Sequence, residues 1–190
     1  MLQKTPRLSP NKANEPIEIM HSDKKQQNII VRITKNFKDI NIDLERIENL
    51  VKSICLRFGR SKKPPDKYEI SIVIADNKSI SKLNRQFLGR SSPTDCLSFN
   101  LSDEPESPAP KSPNLKSFEL VVNAERALRQ AALRHLESQA ELALYITHSL
   151  LHQFGFDDST KAQAKKMHDT EDEILQQHGF GLVYNKDKRT

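Results

Sequence analysis

The segment from Ser138 to Phe154 limits the possible folds more than any other stretch, because helical spacing puts apolar side chains around most of its circumference. Leu142, Leu144, Ile146, Leu150 and Leu151 leave no wide polar face, so this helix is stable only where other elements cover it on several sides. Ser138, with Glu141 three residues later, reads as a capping box at its start, and Gly155 reads as its stop. The remaining chain must therefore build a layer around a central helix.

The covering elements are legible in order. Ile29 to Ile33 is a β-branched run that reads as a first strand. Leu44, Ile47, Leu50, Val51, Ile54, Cys55 and Phe58 recur at three and four, which predicts an amphipathic helix from Asp43 to Phe58 ended by Gly59. Tyr68, Ile70, Ile72 and Ile74 alternate with their neighbours and predict a strand with one strongly apolar face. Asp76 suits an N-cap for a helix carrying Ile80, Leu83 and Phe87 as far as Gly89. Asp95–Leu101 and Phe118–Asn123 read as two more strands, followed by helices over about 124–136, 138–154 and 160–177. The order β, α, β, α, β, β, α, α, α implies an α/β (α+β) domain in which helices pack on a small mixed sheet.

Three segments read as peripheral. Residues 1–28 hold Pro6, Pro10 and Pro16 among polar residues, with no apolar face to offset the entropy of ordering them, and are expected to form a disordered tail. Asp103–Ser117 contains four prolines and is expected to be a mobile loop joining adjacent strands. Residues 181–190 are expected to be a basic tail, leaving one domain over 29–180.

Only Cys55 and Cys96 occur, too few for a disulfide framework, and no run approaches the length of a membrane span or a signal peptide. The expectation is a cytoplasmic protein with no membrane partner. A net charge of +5 favours polyanions through counterion release. Positive charge gathers in Arg57, Arg60, Lys62 and Lys63, in Arg85 and Arg90, and in Lys161, Lys165 and Lys166. These groups read equally as an RNA-facing surface or as solvated helix ends.

The chemistry concentrates in Thr147–Asp158, THSLLHQFGFDD. His148 and His152 are four apart on a helix, so both imidazoles project from one face and can converge on one cation. Gly155 lets the chain turn, and Asp157 or Asp158 can swing back to complete a His, His, carboxylate set with a position open for water or phosphate. The alternative is a pair of core histidines, but imidazoles on so apolar a helix lose water without compensation unless a partner or metal satisfies them. A zinc protease of the HExxH type is excluded, because Ser149 stands where its general base would be. Thr94 and Asp95 have two readings, a strand-opening turn bonding local amides or cleft residues near the metal. His168 and His178 read as exposed.

At these residues the chain resembles the YbeY-type rRNA-maturation endoribonucleases. His148, His152 and Gly155–Asp158 resemble the signature HGxLHLxGYDH, and Ser92–Phe99 resembles KPTDVLSF. Phe118–Val122, Gln130 with Ala131, and Met167–Glu171 fall where that family has GDIVI, QA and a Met and Glu pattern, so the likeness spans about 29–180. The resemblance implies a YbeY-like metallohydrolase fold holding one divalent metal, expected to be Zn2+, through His148, His152 and Asp158. It implies a single-strand-specific endoribonuclease acting on rRNA of the small ribosomal subunit, in 16S rRNA 3′-end processing and ribosome quality control.

Four departures accompany it. Asp158 stands where the family has its third His, and this shorter, harder, anionic ligand tilts preference toward oxygen-tolerant ions such as manganese. Leu88 stands at the family's cleft Arg, leaving Arg85 or Arg90 to contact phosphate. Ser149 and Gln153 replace a Gly and a Leu, and the Ser149 hydroxyl is expected to bond back to its helix. Two rivals to the enzyme follow: a ribosome-associated RNA-binding factor that has lost turnover, and a domain whose metal is purely structural.

Overall fold

The computed structural model describes residues 28–59, 65, 67–102 and 114–185. The expected tail lies outside these residues except for Asn28, which opens the first strand, and so do 103–113 of the Pro-rich segment and 186–190.

Among the described residues nine elements run in the expected order: β1 Asn28–Lys35, α1 Leu44–Phe58, β2 Lys67–Ala75, α2 Asn77–Leu88, β3 Cys96–Asn100, β4 Leu115–Asn123, α3 Ala124–Leu133, α4 Ser138–Gln153 and α5 Lys161–Gln177. The strands form one mixed sheet in the order β1-β2-β4-β3. β1 and β4 flank β2 in parallel, and β3 runs antiparallel to β4, with Leu97 opposite Val121. The strands around the Pro-rich segment are thus adjacent, as expected, but Leu115–Ser117 belong to β4 and not to the loop.

Alternation in β2 divides the core between the two faces of the sheet. Ile70, Ile72 and Ile74 join Ile47, Leu50 and Ile54 of α1, Leu120 and Val122 of β4, and Leu142, Ile146 and Leu150 of α4 in the main core. Val73 and Ala75 point the other way, where Ile80 and Leu83 of α2 meet Leu97, Phe99 and Val121. Burial of each large side chain in the main core contributes roughly 1.5–3 kcal/mol. α4 packs against α1, α3, α5, β3 and β4, so it is the central helix that its sequence requires.

The caps follow local chemistry in most places. Asp43 and Asp76 accept from the N–H of Arg46 and Ser79, and Thr160 accepts from Gln163 at the start of α5. The expected Ser138–Glu141 capping box does not form. Glu137 is the N-cap residue of α4 and contributes no side-chain bond, while Glu141 is buried and accepts from Arg134 Nη1 at 3.1 Å. An approaching guanidinium outcompetes one backbone N–H for that carboxylate.

Residues 181–185 also differ from expectation, since they pack into the domain. Val183 is fully buried, and the buried Asp172 carboxylate accepts from the N–H groups of Val183, Tyr184 and Asn185 at 2.8–2.9 Å, and from Asn185 Nδ2 at 2.8 Å. Arg134 donates to the carbonyls of Val183 and Tyr184. Among the described residues no helix is long and apolar enough to cross a membrane.

Candidate metal centre

The last two turns of α4 carry His148 and His152 on one side, and the way the helix ends decides what they face. Gly155, at φ +85°, takes the left-handed conformation that lets Gly155 N–H bond to the His152 carbonyl at 3.0 Å and Phe156 N–H to that of Leu151 at 3.1 Å. Phe156 then seats its ring edge-on against Phe58, with centroids 5.2 Å apart. Its carbonyl is thereby brought to His152 Nδ1 at 3.0 Å. A carbonyl only accepts, so His152 carries its proton on Nδ1.

His148 is pinned the same way by a different element. Its Nδ1 lies 2.8 Å from Glu171 Oε1 of α5, a carboxylate with no solvent exposure. The other Glu171 oxygen accepts from His168 Nδ1 at 2.8 Å, and the His168 ring stacks on Tyr184 with centroids 3.5 Å apart. His168 is thus not the exposed residue its sequence position suggests, and His178 faces Ser53 Oγ at 2.7 Å through its Nε2.

With both Nδ1 atoms donating, both Nε2 atoms present lone pairs, and these face each other across 3.2 Å. Two neutral acceptors at that distance repel unless a proton or a metal ion lies between them. Tetrahedral ligands at about 2.0–2.1 Å from zinc lie roughly 3.3 Å apart, so the spacing suits a shared ion. Asp158 supplies the third group, with Oδ2 3.9 Å from His148 Nε2 and Oδ1 4.0 Å from His152 Nε2. These three side chains bring ligand atoms within 4.8 Å of one another, and the donor set of two neutral imidazoles and a carboxylate fits a divalent metal.

Asp157, the other carboxylate considered, is used in the turn that aims Asp158. It accepts from Asp158 N–H at 2.8 Å, Ser159 N–H at 3.2 Å and Ser159 Oγ at 2.7 Å, and these bonds hold its carboxyl below the usual range. Burial opposes a charge on His148. The Glu171 hydrogen bond and its negative charge, with Asp95 and Asp158 adding, outweigh that and hold the imidazole above the ordinary histidine value. The site is electrostatically prepared for positive charge.

Beside the histidines lies an open cavity of about 340 Å³, walled by Leu88, Thr94, Asp95, Ser98, Phe99 and Ser149. Asp95 makes the strand-opening bonds and also lies on the cleft beside the two histidines. Its Oδ1 accepts from Cys96 N–H and Thr94 Oγ1 at 2.9 Å. The Ser149 hydroxyl is buried and makes no bond back to its helix, contrary to expectation. Arg85 and Arg90 are not in the cleft wall, where Leu88 from the same turn is. Both are exposed, Arg85 Nε donating to Ser91 Oγ at 3.2 Å and Arg90 N–H to the Asn84 carbonyl at 3.3 Å. Of the other basic clusters, Arg57 pairs with Glu173 at 2.9 Å and Lys165 with Asp169, while 60–64 lie outside the described residues.

Sequence reasoning assigned no role to Glu171. The available signal was a carboxylate on the same α5 face as Met167 and Ile174, because an acid on a buried face requires donors.

Fold and site together define a small α/β domain with a candidate metal centre at the end of its central helix, open to a cleft. The family model for Endoribonuclease YbeY matches residues 32–179, and the chain belongs to that family. The endoribonuclease YbeY of Halalkalibacterium halodurans is 30% identical over 142 residues, which are 72% of this chain and 89% of that protein. The same protein of Clostridioides difficile is 38% identical over 111 residues, 58% of this chain and 71% of its own. A solution structure of TM1509 from Thermotoga maritima superimposes with a TM-score of 0.49 at 20% identity, over 85% of this chain and 97% of that one.

Proposed function

We propose that this chain is a metal-dependent endoribonuclease that cleaves single-stranded RNA in the cytoplasm, with rRNA of the small ribosomal subunit as its substrate. The reading extends to 16S rRNA 3′-end processing and ribosome quality control through the family. Its supporting observation is the pair of imidazole Nε2 lone pairs 3.2 Å apart, each left as an acceptor by a hydrogen bond at its own Nδ1.

In this mechanism His148, His152 and Asp158 hold one divalent ion, with zinc the expected metal. A bound ion would supply Lewis acidity toward a phosphoryl oxygen and would lower the pKa of a water toward neutrality. Glu171 and the Phe156 carbonyl keep both rings in the tautomer that leaves Nε2 free. The cleft admits a strand between β3 and the end of α2, and Arg85 and Arg90 contact phosphates outside the reacting centre. The freshly purified protein is expected to carry near-stoichiometric metal and to cleave single-stranded rRNA, and His152→Ala is expected to lose both. Unchanged cleavage in that variant would refute the metal mechanism.

A second reading is favoured by the cleft wall, which holds Leu88 and no Lys or Arg among the described residues. In that case the chain is a ribosome-associated RNA-binding factor without turnover. Its RNA affinity would then fall steeply with salt and survive metal removal, whereas salt-insensitive binding would exclude it.

A further inference from the structure

The end of α2 presents an apolar surface that the hydrolytic reading does not use. Phe87 is 54% exposed and Leu88 57% exposed, although both are large and adjacent. They are not at a loose end. Gly89 closes the helix at φ +68°, its N–H bonds to the Arg85 carbonyl at 3.1 Å, and the buried Asn84 ties the next turn down by donating to the Ser92 carbonyl at 2.7 Å. Phe87 rests on Phe99, with ring centroids 4.9 Å apart at 58°, so one side of its ring is supported and the residue stays open to solvent. Leu88 and Phe99 line the same cleft as His148 and His152. The apolar lip is therefore continuous with the candidate metal centre.

The charges around the lip identify what covers it. Lys82 and Arg85 are exposed on α2 and Arg90 is exposed just after its Gly89 cap, and none forms an ion pair with the described residues. Apolar surface with exposed cations on either side of it along the chain suits a ligand that is flat and apolar at its centre and anionic at its edges. An unpaired nucleotide has that character: a π face between two phosphates. A base inside a duplex is already stacked on both faces and offers neither to the lip. A protein segment would need acidic residues around an apolar anchor, whereas RNA meets both demands with every nucleotide.

We propose that Phe87 and Leu88, supported by Phe99, form a stacking lip for an unpaired base of the RNA strand, with Arg85 and Arg90 taking the adjoining phosphates. This deepens the function proposed above and rests on it for the identity of the ligand. The lip makes binding depend on strandedness before the phosphodiester reaches the histidines. Leu88 contributes apolar contact at the position where the resemblance places a cleft Arg.

The test measures binding of the full chain without metal, by fluorescence anisotropy, to a labelled single-stranded RNA and to a fully paired two-strand duplex of the same composition. Phe87→Ala is expected to weaken single-strand binding about fivefold or more, and to leave duplex binding unchanged. Phe87→Trp is expected to keep the affinity. The chain contains no Trp, so that indole reports the lip alone, and its emission is expected to be quenched by single-stranded RNA and not by the duplex. Unchanged binding by Phe87→Ala, an equal loss for both RNAs, or emission indifferent to RNA would each overturn the proposal. Because no metal is present, these outcomes are independent of turnover: a chain that stacks RNA but does not cut it retains the lip, and one that cuts RNA but passes Phe87→Ala unchanged loses it.

Discussion

Replacing Glu171 by Gln probes the candidate centre without touching a proposed ligand. Both carboxylate oxygens now accept from imidazole Nδ1–H groups at 2.8 Å, in a place with no solvent exposure. A Gln amide offers one acceptor and one donor to those two donors, so one imidazole must invert its tautomer. If His148 inverts, its proton moves to Nε2 and the lone pair available to a metal is lost. If His168 inverts, His148 keeps its tautomer but donates to a neutral amide oxygen. Hydrogen bonds to charged groups contribute roughly 1.5–3 kcal/mol and neutral ones roughly 0.5–1.5 kcal/mol. The milder outcome therefore removes about 1–1.5 kcal/mol of support for His148, or about 5–13-fold in affinity. That overlaps the 10–100-fold loss typical, to an order of magnitude, of carboxylates that orient metal-binding histidines. Zinc affinity measured by competition with a chromophoric chelator reads this directly, with a metal-free thermal melt to confirm folding. A well-folded Glu171→Gln variant whose zinc affinity stays within about twofold of the parent would refute the reasoning that Glu171 supports the site through His148.

Further outcomes follow from the same geometry. Asp158→His restores the third imidazole that the family carries and should raise zinc affinity relative to manganese in the same competition assay; a fall would argue that this position does not face the ion. Ile72→Ala, at the fully buried middle of β2, should cost about 2–5 kcal/mol in urea unfolding, and a loss well under that range would contradict the core described here. Asp76→Ala removes the N-cap bond to Ser79 N–H at 2.7 Å and should cost about 1 kcal/mol near neutral pH. Bonding to Ser79 lowers the Asp76 pKa, so its stabilising effect is complete above the unfolded value of about 3.9 and disappears as pH falls through the lower folded value. Parent and variant should therefore converge in strongly acid urea melts, and a constant gap would show that the charge is not involved.

Residues 138–154 show how far the linear pattern reaches. Apolar side chains around the whole helix required burial, and α4 is buried on several sides. The same helix placed His148 and His152 on one face, since four residues are about one turn, and Gly155 marked the turn that follows. The alternation in β2 identified which of its faces meets the main core. These features depend on period and local sterics, which a chain carries wherever it lies.

Other features depend on which groups arrive from elsewhere. Glu141 looked like a helix cap but is taken by Arg134, and His168 looked exposed but is held by Glu171 and Tyr184. Residues 181–185 looked like tail because only the buried Asp172 gives their N–H groups a destination. Asp157 and Asp158 are neighbours of the same type, and only the turn decides that the first bonds its own loop while the second faces the imidazoles. By itself the sequence determined the central helix, the order of elements along the chain that cover it, and two histidines on one side. The tertiary structure alone decided the tautomers that leave both Nε2 atoms as acceptors and the apolar lip beside them, because Glu171 reaches His148 from α5, Phe99 reaches Phe87 from β3, and the Phe156 carbonyl meets His152 only through the turn at Gly155, approaches that no local period encodes.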